Sequence, residues 1–199
     1  VQRPTSIQSS PPAVDLITLA QAKLRVRRDD DDDDDGIALL IAAVISQLDG
    51  TDGILGRALI SQVWVDIWEG FQAGNRVSLA LVPVASVASV KYFDVNNVEQ
   101  TLPDTSYGLH KDNTGGYYLR LSNGTAWPAT FERDDAVQIT YSAGYGDQPD
   151  DVPATIRLAA LDLLQHWYDY PEPVVVGSIA SKIPISIEYK LRRFIRPHF

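Results

Sequence analysis

Apolar residues recur at helical spacing in two separated parts of the chain and at strand spacing between them. Ile37, Leu40, Ile41, Val44, Ile45 and Leu48 make one apolar stripe, which predicts a helix from near Gly36 that fades around Gly50 to Gly56. Ahead of it, Thr18-Leu19-Ala20-Gln21 fits a capping box, with Thr18 as N-cap and Gln21 reaching back, so a short helix should run to about Arg27. From Arg57 to Ala143 the period shortens to two. Val63, Val65 and Ile67 alternate with Trp64, Asp66 and Trp68, and further short strands are predicted at Val77–Leu81, Val87–Phe93, Val98–Leu102, Tyr117–Leu121 and Ala136–Tyr141. Turn signals such as Ala73-Gly74-Asn75, Asn96-Asn97 and Gly115-Gly116 separate them. Helix returns after Asp151-Val152-Pro153, where Pro153 suits the first turn. Ile156, Ala160, Leu163, Leu164 and Trp167 share one face, while Leu158 and Leu161 lie elsewhere, the pattern of a helix surrounded by protein. Pro171 and Pro173 end it. Ile187, Leu191 and Ile195 then form a last amphipathic segment, with Glu188 four residues before Arg192 in the favourable order for a helical ion pair.

The order of helices, strands, then helices predicts an α+β protein: a small bundle of about four helices interrupted by an antiparallel β-sandwich or barrel-like insertion. The first two helices are too short to build a core without the third. Residues 15–56 and 150–199 are assigned to the helical domain and 57–149 to the β insertion. Residues 1–14, rich in Pro, Ser and Thr, are read as an extended N-terminal arm.

Composition narrows the chemistry. The chain has 199 residues, enough for one domain with a real core or two small ones, and it lacks cysteine, so disulfides, thiolate nucleophiles and Cys-based zinc sites are excluded. No apolar run approaches the roughly 18–20 residues that span a bilayer, and no secretory signal is visible; no membrane association is expected. The net charge of −9 argues against a protein that wraps nucleic acid through phosphate contacts. That charge is unevenly placed. Residues 15–52 hold ten Asp against four Lys/Arg, whereas 186–199 hold four Lys/Arg against one Glu. An acidic front and a basic tail suit contacts between copies, or docking of the tail on an acidic partner; two solvated faces are the plainer alternative.

Motifs for catalysis or metal binding fail one by one. Read as an EF-hand, the run Asp29–Asp35 offers Asp31, Asp33, Asp35 and Gly36, but the required bidentate Glu falls at Ala42 inside an apolar helix. The run is read first as a solvated loop whose last members lie at the positive end of the next helix, with loose divalent-ion binding or a specific partner site as the alternatives. His110, His166 and His198 lack zinc spacing. Gly50, Gly53 and Gly56, like Gly144-Tyr145-Gly146, fall short of a phosphate-binding fingerprint. Asp66 with Glu69 is a conceivable glycosidase pair and Trp64 with Trp68 a conceivable sugar platform, although flanking tryptophans more often serve a core or an interface. No catalytic, cofactor or metal residues are assigned, and no enzymatic activity is expected.

Several blocks, taken in order, resemble one family. They are Leu19-Ala20-Gln21-Ala22-Lys23 through Val26 with the acidic loop after it, Ile37 to Ile45, Gly56-Arg57-Ala58-Leu59-Ile60-Ser61-Gln62, Pro83 to Tyr92, Trp127-Pro128, Ala143-Gly144-Tyr145-Gly146, Asp151-Val152-Pro153, and His166-Trp167-Tyr168-Asp169-Tyr170-Pro171 through Gly177. Over about residues 16–190 the chain resembles the head-to-tail connector (adaptor, head-completion) proteins of long-tailed phages and the related gene transfer agents.

The resemblance implies a ring, generally twelvefold, beneath the portal of a DNA-filled capsid. The ring extends the DNA channel and docks the next head-completion protein. The implied partners are the portal protein, neighbouring copies, a stopper or tail-completion protein, and double-stranded DNA that passes without specific binding. The implied location is the virion at the capsid–tail junction, with assembly in the host cytoplasm. Lys190, Arg192, Arg193, Phe194 and Arg196 are the expected portal-binding residues, though so basic an ending departs from the family's pattern. Tyr168, Tyr170, Val174, Val175 and Val176 are the expected ring contacts, because an apolar run just past a helix end is hard to cover within one copy. The competing reading is a β-sandwich ligand-binding module of carbohydrate type with helical flanks.

Overall fold

In a computed structural model, residues 3–122, 126–171 and 183–196 are described. They fall into two compact units. One joins residues 3–13 to Ser61–Tyr145; the other joins Val14–Ile60 to residues 146–196.

The first unit is built from antiparallel strands: β1 (Thr5–Ser10), β2 (Gln62–Trp68), β3 (Arg76–Ser78), β4 (Val84–Phe93), β5 (Glu99–Thr101), β6 (Tyr107–Lys111), β7 (Tyr117–Leu121) and β8 (Val137–Ala143). They form a five-stranded sheet in the order β1-β2-β8-β4-β5 and a three-stranded sheet in the order β3-β7-β6. Neither sheet closes into a barrel. Two strands lie where the hydrophobic pattern shows little. β1 has a single apolar residue, Ile7, which is half exposed, so the strand is held to β2 by backbone pairing rather than by burial. β6 is interrupted by Gly108 and His110, which break the alternation.

β2 and β8 form the centre of the larger sheet, with Trp64 opposite Tyr141, Asp66 opposite Ile139 and Trp68 opposite Val137. The enclosed face of β2 carries Gln62, Trp64, Asp66 and Trp68, while Val63, Val65 and Ile67 stay half-buried. A carboxylate on that face survives only with its lone pairs occupied. Asp66, fully buried, accepts from the Ser6 hydroxyl at 2.6 Å, the Ala80 N–H at 2.8 Å and the Tyr141 hydroxyl at 3.1 Å. Tyr141 in turn accepts from the Leu81 N–H at 3.2 Å. One acid thus ties the edge strand, the β3–β4 connection and the central strand together.

The second unit contains α1 (Leu19–Val26), α2 (Asp34–Leu48), α3 (Ala154–Asp169) and α4 (Ile185–Leu191), the last followed by a 3-10 turn over Arg192–Phe194. The capping box at Thr18 forms: the Gln21 N–H donates to Thr18 Oγ1 and Gln21 Oε1 accepts from the Thr18 N–H. α2 begins two residues before Gly36, inside the Asp run, so Asp34 and Asp35 occupy its first turn and face the positive end of the helix dipole. Ile37, Ile41, Val44 and Leu48 from α2 and Ile156, Ala160, Leu163 and Leu164 from α3 supply much of the core, joined by Ala22, Ile187 and Leu191. Leu158 remains 45% exposed, so α3 is not enclosed on every side. Among the described residues no ion pair joins Glu188 to Arg192, although the Arg192 N–H donates to the Glu188 carbonyl at the end of α4.

The two halves of this unit are closed by a bridge between Ile60 and Gly146. Gly146 is required by close approach: a Cβ there would fall 2.3 Å from Asp151 Oδ2, the oxygen that also accepts from the Gln148 N–H.

Tyr141→Phe removes a buried donor from Asp66 and an acceptor from Leu81. We expect it to lower stability by about 1–3 kcal/mol, read as a shift in the urea midpoint at unchanged slope.

Candidate assembly surfaces

The Asp run is clamped rather than simply solvated. Lys23 Nζ pairs with Asp31 at 2.6 Å and Asp34 at 2.7 Å. α1 ends with Arg27 in the left-handed conformation (φ 60°), and beyond that turn Arg28 pairs with Asp33 at 2.9 Å and Asp30 at 3.5 Å. Arg28 Nε–H also donates to the Tyr168 hydroxyl at 2.8 Å, and that hydroxyl donates to Asp33 at 2.7 Å. The bond to Tyr168, with the nearby carboxylates, raises the Arg28 pKa further above its ordinary value. The Lys23 ammonium holds the Asp31 carboxyl below the usual range, and its bonds to Asp31 and Asp34 raise Lys23 in return. Asp29, Asp32 and Asp35 remain exposed, with no cationic partner among the described residues.

Beside this clamp lies a groove of about 600 Å³ lined by Ile37, Leu40, Trp167, Tyr168, Tyr170 and Pro171. Of the residues expected to make ring contacts, Tyr168 is committed through its hydroxyl to Arg28 and Asp33 of its own copy, while Tyr170 is 61% exposed. Val174, Val175 and Val176 lie outside the described residues.

A second surface surrounds α4. Its buried side, Ile187 and Leu191, packs into the unit, leaving Ile185 (85% exposed) and Tyr189 (77%) outward. Among the expected portal-binding residues, Lys190 is bound to Asp162 on α3, which also receives Arg25 from α1. Arg192 and Arg193 are exposed, and Arg193 donates to Thr155 Oγ1 at 3.0 Å. The Phe194 carbonyl accepts from Arg57 Nε–H, and the Arg196 N–H donates to the Leu55 carbonyl at 3.0 Å. The basic ending is therefore seated on its own unit, with the Arg192 and Arg193 side chains as its outward charges. Thr155, Tyr189, Lys190, Arg192 and Arg193 line an open cleft of about 680 Å³ there.

Asp162, Lys23 and Arg28 were not singled out by sequence reasoning. A signal for Asp162 existed: a lone acid between Leu161 and Leu163 in an apolar helix is rare unless paired.

The residues weighed for sugar chemistry do not form a site. Trp64 and Trp68 are buried, at 7% and 2% exposure, so neither offers a ring face; Asp66 is enclosed as a structural acceptor while Glu69 is exposed. Among the described residues no group of three His, Cys, Asp or Glu is placed to hold a metal ion, and no helix is long and apolar enough to cross a membrane.

The contribution of the Lys23–Asp31 pair has a defined pH window. Asp31 titrates below its unfolded value near ~3.9, so its contribution is present above that pH and is lost as pH falls through the lower folded value. Lys23→Ala should return the Asp31 carboxyl to the ordinary range in a carbon-detected NMR titration and speed amide exchange over residues 29–33. An unchanged Asp31 titration would show that the clamp does not persist in solution.

No family model matches this sequence, and no curated protein matches it. Solved structures do. The neck of an empty GTA particle computed with C6 symmetry contains a chain 17% identical with a TM-score of 0.78, covering 98% of this chain and 97% of that one. The virion of a native gene transfer agent (GTA) particle gives 16% identity and a TM-score of 0.76 at the same coverage. The neck of a native GTA particle computed with C12 symmetry gives 20% identity and 0.66, covering 97% of each chain. This chain has, over nearly its whole length, the fold of a chain found in those particles.

Proposed function

We propose that the protein is a structural, non-enzymatic head-to-tail adaptor of the virion neck. Copies form a ring under the portal of a DNA-filled capsid, extend its channel and receive a stopper or tail-completion protein. The observation that carries this reading is the agreement of fold across 98% of the chain with a chain of a particle neck, both helical halves and the β insertion included. The necks computed with C6 and C12 symmetry support a ring.

The helical unit, residues 15–56 and 150–199, is the ring-building domain in this account, and 57–149 the insertion. A net charge of −9 suits a channel wall past which DNA slides, since a net acidic surface repels phosphates. The portal-facing surface is the α4 end. Arg192 and Arg193 supply its free charge and Ile185 and Tyr189 its apolar area, whereas Lys190, Phe194 and Arg196 hold the segment in place. Tyr170 and the groove beside it are the proposed ring contact, and Val174 to Val176, outside the described residues, are proposed to share in it.

Arg192→Glu with Arg193→Glu should leave the circular dichroism spectrum unchanged yet abolish co-elution with the portal and joining of tails to filled heads. Normal tailed particles from this variant would refute the portal-facing role.

A further inference from the structure

The β unit carries a basic, aromatic face in a chain whose net charge is −9. On the three-stranded sheet, Arg76 stands opposite Arg120, which stands opposite Gly108; Ser78 stands opposite Tyr118, which stands opposite His110. Alternation puts these six on one side, since the intervening Val77 and Leu119 are fully buried. Like charges directly opposite each other across a ladder are destabilising. Here Arg76 and Arg120 are both exposed, and among the described residues neither has an ion-pair partner. The Arg76 guanidinium lies over the Tyr118 ring at 4.6 Å, and the His110 ring stacks on the same ring at 5.7 Å. An arginine supported on an aromatic ring keeps its N–H edges available for a carboxylate.

We propose that this face receives the Asp29–Asp35 loop of a second copy of this chain, an inference that rests on the ring reading above. The match is one of charge. Lys23 and Arg28 engage Asp30, Asp31, Asp33 and Asp34 within the copy, leaving Asp29, Asp32 and Asp35 exposed at and just before the start of α2. Three exposed carboxylates would meet a surface bearing Arg76 and Arg120. The two surfaces differ from each other, so each copy offers one and needs the other. That is a heterologous contact, which leaves unmet surfaces at both ends unless the copies close into a ring.

Charge reversal tests the pairing. Arg76→Glu with Arg120→Glu, and separately Asp29→Lys with Asp32→Lys and Asp35→Lys, should each fold, with self-association of the full chain (on the portal, if wild type needs it) weakened roughly tenfold or more at low salt. A chain carrying all five substitutions should assemble again, because its acidic face now meets a basic loop. Failure of that chain to recover would overturn the pairing. Assembly of R76E/R120E equal to wild type would overturn it too, while leaving the neck function standing. Wild type that never assembles, alone or with the portal, would defeat both readings. If R76E/R120E lost only binding to a duplex DNA probe in fluorescence anisotropy, the face would belong to nucleic acid instead.

Discussion

The helical unit depends on one carboxylate. Asp162 on α3 takes Arg25 from α1 and Lys190 from α4, joining elements that lie on both sides of the β insertion in sequence. α1 has eight residues and α4 seven, lengths at which an isolated helix does not persist in water. Both are therefore stabilised by what they pack against. A half-buried acid between two cations also fixes direction, which apolar contact alone does not. Leucine on leucine tolerates sliding, whereas a bidirectional ion pair sets the register of α1 and α4 on α3.

The same economy recurs at the other charged sites. Seven consecutive aspartates would repel one another, yet Lys23 and Arg28 pair with four of them and Tyr168 links the loop to the end of α3. In the β unit Asp66 does the corresponding work through two hydroxyls and a backbone N–H. Asp162, Asp66 and, through Tyr168, Asp33 each join segments far apart in the chain. Such bonds are what allow a bundle of short helices to accept a long insertion, with Ile60 and Gly146 closing the gap where the chain leaves and returns.

Much of this architecture was legible in the sequence because periodicity records burial. The α2 stripe, the Thr18 capping box and the β2, β7 and β8 strands appear where the apolar spacing puts them. β1 and β6 were not legible, since backbone pairing leaves no mark on a strand with one exposed Ile or an internal Gly and His. The surfaces were half legible. Charge runs in the sequence pointed to the Asp loop and the basic ending, but whether a given charge is free depends on partners distant in sequence. Lys190, expected at the portal, is tied to Asp162 in its own copy, and Tyr168, expected at a ring contact, is tied to Asp33. Arg76 and Arg120 drew no notice at all, because only strand pairing brings them opposite each other.

The central claim is that copies of this chain close into a ring at a portal. Native mass spectrometry of the purified chain, alone and mixed with its candidate portal, tests it directly. The account predicts a single closed multimer, formed either by the chain itself or only when the portal is present. A monomer that stays a monomer and ignores the portal would contradict it.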